Sequence, residues 1–157
     1  MTEEYNEFWK ICSGVAEWQK EQLKFYNEYG FVQTLLGRKR HRPLSKNEIY
    51  NTPIQSLASE LVTDSMNRLS EAAEELHKPQ YQAIWNIHDD LGFYIPDETL
   101  EEDILFIAEK MVCTPFEFVN IPLGVEVSVG KRWGELEEVA KYDTLSFDKS
   151  FINKKLV

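Results

Sequence analysis

In the stretch Tyr81-Gln-Ala-Ile-Trp-Asn-Ile-His-Asp-Asp-Leu-Gly-Phe-Tyr-Ile95, β-branched and aromatic residues flank the polar triplet His88-Asp89-Asp90. That pattern predicts a β-hairpin over residues 81–95 with two carboxylates at its tip. Adjacent carboxylates repel each other. The repulsion is offset by a bound cation or a helix dipole, or relieved by solvent. Which of these applies decides what the hairpin is for.

Helical signals surround the hairpin. Residues 3–29 lack proline and place Phe8, Ile11, Val15, Trp18 and Leu23 near helical spacing, with Gly30 as the stop. Phe31–Leu36 is a short β-prone stretch, and Gly37 turns the chain into a basic segment. Ser45/Glu48 and Thr52/Gln55 both fit capping boxes, with Pro53 at a first-turn position. They predict a short helical lead-in, a bend at Pro53, and a long helix to about His77. Its expected buried stripe is Ile54, Leu57, Leu61, Ser65 and Leu69, and Lys78-Pro79 ends it.

Beyond the hairpin, Pro96-Asp-Glu-Thr99 opens another helix. A Thr99/Glu102 capping box starts it, and Leu100, Ile104, Ile107, Ala108 and Met111 form its apolar face. Leu123, Val125, Val127 and Val129 alternate with Gly124, Glu126 and Ser128, a period-2 strand within 122–130. Residues 143–157 read as a polar tail. The fold class expected is α+β: a small antiparallel sheet, the hairpin plus this C-terminal strand, packed by helices on one face.

Composition bounds the function. At 157 residues and 43% hydrophobic, the chain is long enough for one domain with a real core. No apolar run approaches the roughly 20 residues that span a bilayer. Met-Thr-Glu-Glu is no secretory leader, and Cys12 and Cys113 suggest no disulfide framework, so a reduced cytoplasmic setting is expected. The net charge of −10 argues against a simple nucleic-acid binder. Yet Arg38, Lys39, Arg40, Arg42 and Lys46 fall in a window without an acid, leaving −15 on the remainder. Such a patch grips phosphates locally or is a solvated loop.

Four stretches in order now carry a resemblance: Tyr29 to Pro43, Asn51 to Ser56, Ile87 to Leu91, and Val125 to Trp133. Over about residues 5–142 the chain resembles the C-terminal part of a family A DNA polymerase, of the bacterial polymerase I and phage replicative type. The resemblance implies a fingers-derived helix and basic segment over 1–44, a palm portion with the catalytic hairpin over 45–142, and a tail over 143–157. By it, Asp89 matches the second catalytic aspartate, a ligand of two Mg²⁺ ions. Nucleotide addition is an in-line phosphoryl transfer, and hard cations take carboxylate oxygens, which explains the residue type. Asp90 stands where the family usually has Glu, so a supporting role is expected. His88 matches a histidine near the primer terminus.

Asn51 and Gln55 match residues that approach template–primer DNA, where an amide donor tests the minor-groove acceptors common to every correct pair. Alternatively, Asn51 and Gln55 both merely cap the helix, since Thr52 and Gln55 fit a capping box. Asn47 stands where a basic residue is typical. Arg38 and Arg40 lie in a Thr-x-x-Gly-Arg segment, and either contact the DNA backbone or stabilise the fingers–palm junction. Trp133 is expected in the core, and His41 and His77 at the surface.

The resemblance also marks what is missing. The chain lacks the other palm aspartate, usually in an Asp-Tyr-Ser-like segment, and the fingers helix that holds the triphosphate and incoming base. Glu101-Glu-Asp103 and Glu135–Glu138 are expected on helices, as solvated faces. The expectation is a subunit of a split DNA-directed DNA polymerase, or a truncated or interrupted form of one. It acts on template–primer DNA and dNTP when a second chain brings the missing aspartate and fingers helix, and is inactive alone. Its hairpin then has an unpaired edge and an exposed apolar patch. A second reading is a non-catalytic nucleic-acid-binding or assembly module on the palm scaffold. An unrelated metal site at His88, Asp89 and Asp90 ranks last.

Overall fold

The computed structural model describes residues 3–147. It has two compact units, Met1–Glu60 and Leu61–Val157. The class is α+β, with every strand pair antiparallel.

In the first unit the expected single N-terminal helix is two, α1 (Glu3–Ile11) and α2 (Ser13–Tyr29). Cys12, at φ −95° and ψ 33°, breaks the helix between them. The expected buried stripe is only partly buried. Phe8, Ile11 and Val15 are exposed, whereas Trp18 and Leu23 are half-buried. Helical spacing identifies a face, but only tertiary packing decides whether it is covered.

Gly30 ends α2 at φ 80°, donating its N–H to the Tyr26 carbonyl. Strands β1 (Phe31–Gln33) and β2 (Lys39–His41) then pair, so half of the expected basic loop is a strand. Their connection fits a three-residue hairpin loop: Thr34 pairs with Arg38, Gly37 N–H bonds the Thr34 carbonyl, and Gly37 has φ 93°. The unit's core is Tyr26, Val32 and Ile49, flanked by Leu23, Leu44 and Tyr50.

Helix α3 (Lys46–Glu75) passes from one unit into the next. Of the two possible starts, the Ser45/Glu48 capping box forms. Glu48 accepts from the Ser45 N–H (2.9 Å) and Oγ (2.8 Å). The Thr52/Gln55 box does not form, because Thr52 and Pro53 are already inside α3 and buried. Ile54, expected to be buried, is 60% exposed, while Ser65 and Leu69 are buried as expected. The C-terminus of α3 is a Schellman motif. His77 takes φ 53°, its N–H bonds the Glu74 carbonyl, and Lys78 N–H bonds that of Ala73.

In the second unit the hairpin is shorter than expected. Its strands are β3 (Trp85–Ile87) and β4 (Asp90–Gly92), and Pro79–Tyr81 is a 3₁₀ turn. Helix α4 (Leu100–Val112) buries Ile107 and Ala108. The expected Thr99/Glu102 box is absent: the Thr99 hydroxyl donates to Asp103 instead.

The C-terminal strand, β5 (Gly124–Val129), does not join the hairpin. It pairs with β6 (Glu137–Asp143), so three two-stranded ladders replace one small sheet. Glu137 and Glu138, expected on a helix, lie on β6. Their outward charges hide a strand whose burial is supplied by its partner, through Val127 opposite Ala140 and Val125 opposite Tyr142. Val139 is the extra residue of a bulge.

Asp143 ends β6, and α5 (Thr144–Phe147) follows; residues 148–157 of the expected tail lie outside the described ones. The core here is Leu69, Ala72, Ala73, Tyr81 and Ile107, with Phe93, Ile95, Phe106 and Met111 against it.

Candidate functional site

The hairpin presents the triplet at its tip. Ile87 pairs with Asp90, leaving His88 and Asp89 as a two-residue loop. His88 has φ 57° and Asp89 does not have positive φ, the sign pattern of a type II′ turn. Asn86 braces the turn, its Nδ2 donating to the His88 carbonyl (3.2 Å) and the Asp90 carbonyl (3.3 Å). His88, Asp89 and Asp90 are exposed, and their side chains make no hydrogen bond or ion pair among the described residues. Two unpaired carboxylates adjacent in sequence are hard oxygen donors of the kind Mg²⁺ takes. Among the described residues no cluster of three or more His, Cys, Asp or Glu side chains is placed to hold an ion. The hairpin thus offers at most part of a coordination shell.

Behind the tip, the Trp85 indole lies across Gly92, where a Cβ would stand 1.8 Å from an indole carbon. A glycine inside a strand signals such a close approach. Trp85 meets Trp133 edge-on at 4.1 Å between centroids. Trp133 is therefore no core residue: it is 58% exposed and stands edge-on to Trp85. Ile84, Ile87 and Tyr94 are exposed beside the ladder.

Below the hairpin sits a carboxylate whose burial the sequence did not reveal. Asp103, expected on a solvated face, is fully buried. Its Oδ1 accepts from the Tyr81 hydroxyl (2.9 Å) and Lys78 Nζ (3.3 Å); its Oδ2 accepts from Thr99 Oγ1 (2.6 Å) and Gln80 Nε2 (3.0 Å). Burial alone pushes the Asp103 carboxyl up, but its four donors, Thr99 foremost, hold it below the ordinary carboxylate range. Hydrogen bonds to Tyr81, Glu102 and Asp103 push Lys78 up against partial burial, and burial pushes the Tyr81 phenol up. The available signal was Thr99-x-x-x-Asp103, an i,i+4 pair on one helical face.

The first unit holds the other expected residues. Asn51 and Gln55 lie one turn apart on α3, exposed, with no side-chain hydrogen bond among the described residues. The reading of Gln55 as a helix cap is excluded by the position of α3's start. Ile54 and Ala58 share their exposed face.

Arg40 and Arg38 differ. Arg40 donates through Nη1 to the buried Thr52 hydroxyl (3.0 Å) and through Nη2 to Glu48 (2.5 Å), tying β2 to the first turns of α3. Hydrogen bonds from Ser45, then the Arg40 charge, hold Glu48 below its usual range. The Arg38 guanidinium is exposed and has no partner among the described residues. Arg42, which sequence reasoning placed only in the basic patch, closes the end of α2. Its Nη2 donates to the carbonyls of Tyr26 (3.1 Å) and Asn27 (2.8 Å), a common way to satisfy last-turn acceptors. His41 and His77 are at the surface. No described helix is long and apolar enough to cross a membrane.

A family model described as "DNA polymerase family A" matches residues 2–135. The chain is 27% identical over 137 residues to DNA polymerase I of Chloroflexus aurantiacus, covering 81% of this chain and 14% of that protein. It is 27% identical over 136 residues to DNA polymerase I of Bacillus subtilis, covering 76% and 14%. It is 21% identical over 154 residues to DNA polymerase theta of Drosophila melanogaster, covering 86% and 7%. The chain thus spans about a seventh or less of these relatives.

Proposed function

The chain belongs to DNA polymerase family A, and from that premise we propose that it supplies the palm hairpin and a fingers-derived segment of a DNA-directed DNA polymerase. The observation that carries this reading is the braced two-residue turn at the hairpin tip, with the exposed, unpaired carboxylates of Asp89 and Asp90. Asp89 would hold Mg²⁺, with Asp90 in support, and the ions, when bound there, would supply positive charge for an in-line phosphoryl transfer.

This chain's own groups do the rest of its share. The Asn86 amide fixes the turn, so Asp89 reaches outward from a defined backbone. His88 stands at the primer terminus. Asn51 and Gln55 turn unused amide donors toward minor-groove acceptors, testing pair shape without reading sequence. Arg38 contacts a DNA phosphate, while Arg40, bound to Thr52 and Glu48, supports the junction between the basic hairpin and α3.

Polypeptide outside these 157 residues supplies the second aspartate, the fingers helix and the triphosphate contacts. A second chain in a split, phage-like polymerase working in the cytoplasm is our preferred arrangement. The small share of each relative covered and the exposed Ile84, Ile87 and Tyr94 beside the hairpin support completion by other polypeptide. Primer extension tests it. The chain alone, with Mg²⁺ and dNTP, should not extend a primer, and extension by it would refute the split arrangement. In the completed enzyme, Asp89→Ala should abolish extension while DNA binding persists.

The replacement of the family's usual Glu by Asp90 favours a second reading, a non-catalytic nucleic-acid-binding or assembly module. Unchanged extension by Asp89→Ala would support it.

A further inference from the structure

The segment that carries the hairpin runs from Lys78, just past the end of α3, to Thr99, just before α4. Lys78 itself is fixed by the Schellman motif that closes α3. Both ends of the excursion converge on one side chain. Lys78, Gln80 and Tyr81 reach Asp103 from the outgoing stem, and Thr99 reaches it from the returning stem. We propose that Asp103 is a positioning residue: its carboxylate clamps the two stems together and thereby sets the direction of the hairpin that carries Asp89. The proposal rests on the reading of Asp89 as a metal ligand.

Three observations support it. First, the carboxylate is saturated. Two oxygens offer about four acceptor directions, and four donors occupy them, two on each oxygen. Saturation makes the clamp specific, because no donor can leave without an unmet buried group. Second, Asp103 is fully buried, so water cannot take over a lost bond cheaply. Third, the clamp works with packing on both stems. Tyr81, 1% exposed, stacks on Phe106 at 4.3 Å, and Phe93 and Ile95 of the returning stem pack on the same core.

Above this base the hairpin is held by three ladder pairs, the Asn86 brace, the Ile84–Gly92 hydrogen bond and the Trp85–Trp133 contact. A two-stranded hairpin is marginal by itself, so its orientation is inherited from its base. Metal-site residues that act through another ligand typically change activity by about 10–100-fold when removed.

The experiment uses Asp103→Leu, which removes every acceptor, and Thr99→Val, which cuts only the returning stem. Thr99→Ser keeps the hydroxyl. In the chain itself, amide hydrogen exchange is followed in 82–95 and, as an internal control, in the β5–β6 ladder. Thr99→Val should speed exchange in 82–95 about tenfold and leave the ladder unchanged, with Thr99→Ser like wild type. Unchanged exchange in 82–95, or an equal rise in both segments, overturns the proposal.

In the completed polymerase, Asp103→Leu and Thr99→Val should lower kcat by about 10–100-fold with KM for dNTP within about twofold. A change in KM alone, or no change, overturns it. Asp89→Ala runs alongside. If that variant extends normally, the catalytic reading of the hairpin is what fails; if it is dead while both clamp variants are fully active, the clamp fails. Should Asp103→Leu not fold, Thr99→Val alone decides.

Discussion

Gly92→Ala tests how tightly the hairpin is built. The φ of Gly92 is in the ordinary range, so the substitution brings no backbone strain. The obstacle is steric. An added Cβ stands 1.8, 2.1 and 2.2 Å from three Trp85 indole atoms. An ordinary carbon contact is about 3.5–4.0 Å, so the indole must retreat by roughly 1.5–2 Å. That movement pulls it from Trp133, whose ring centroid is 4.1 Å away. Overpacking of this kind costs about 1–3 kcal/mol, and a lost aromatic pair about 0.5–1.5 kcal/mol. Loss of glycine's unfolded-state freedom returns about 0.4–1 kcal/mol. The net expectation is a destabilisation of about 1–3 kcal/mol. Urea unfolding followed by circular dichroism at the helical minimum measures it, because the helices dominate that signal. In a Trp85→Ala background the space exists, and Gly92→Ala should then be neutral or mildly stabilising. A Gly92→Ala effect within about 0.5 kcal/mol of zero, or the same cost in both backgrounds, would refute the reasoning.

Three further outcomes follow from the same contacts. The Asp103 carboxyl lies below its ordinary value of 3.8 in the folded chain, so as pH falls the unfolded state takes up protons first. Its stabilisation is complete above that value and disappears as pH drops through the lower folded value. Urea midpoints taken between about pH 5 and 2 should fall accordingly, and Thr99→Val should reduce that acid sensitivity. Glu48→Ala removes the capping box of α3 and an anchor of Arg40 together, and should lower the urea midpoint in the same assay, chiefly through the lost cap, since the Arg40 pair is exposed. Gln55→Ala should leave stability within about 0.5 kcal/mol, because the exposed side chain makes no hydrogen bond or ion pair among the described residues. In the completed polymerase it should lower extension efficiency and mismatch discrimination together, and unaltered discrimination would remove Gln55 from the site.

Local chemistry was legible in several short stretches. The Ser45/Glu48 box, the Gly30 stop and the alternation of β5 are all present. The chain could not disclose which of two overlapping starts α3 would use, because both satisfy the same local rule. The choice fell to Thr52, which is buried and receives Arg40 from another element. The β6 strand was hidden for a similar reason: its outward charges dominate the pattern, and its apolar partners belong to β5.

By itself, the sequence determined the α+β class, the hairpin with His88, Asp89 and Asp90 at its tip, and the four-motif resemblance to family A polymerases. These depend on residue types at short, fixed spacing, which a linear chain records directly. Only tertiary structure decided that Asp103 is a buried clamp rather than a solvated acid, that Arg40 and Arg42 serve the fold while Arg38 faces solvent, and that Asn51 and Gln55 keep their amides unused. A side chain's role in these cases is fixed by donors and acceptors distant in sequence. Asp103 meets Lys78 across 25 residues and Arg42 meets Tyr26 across 16, and no local pattern carries that information.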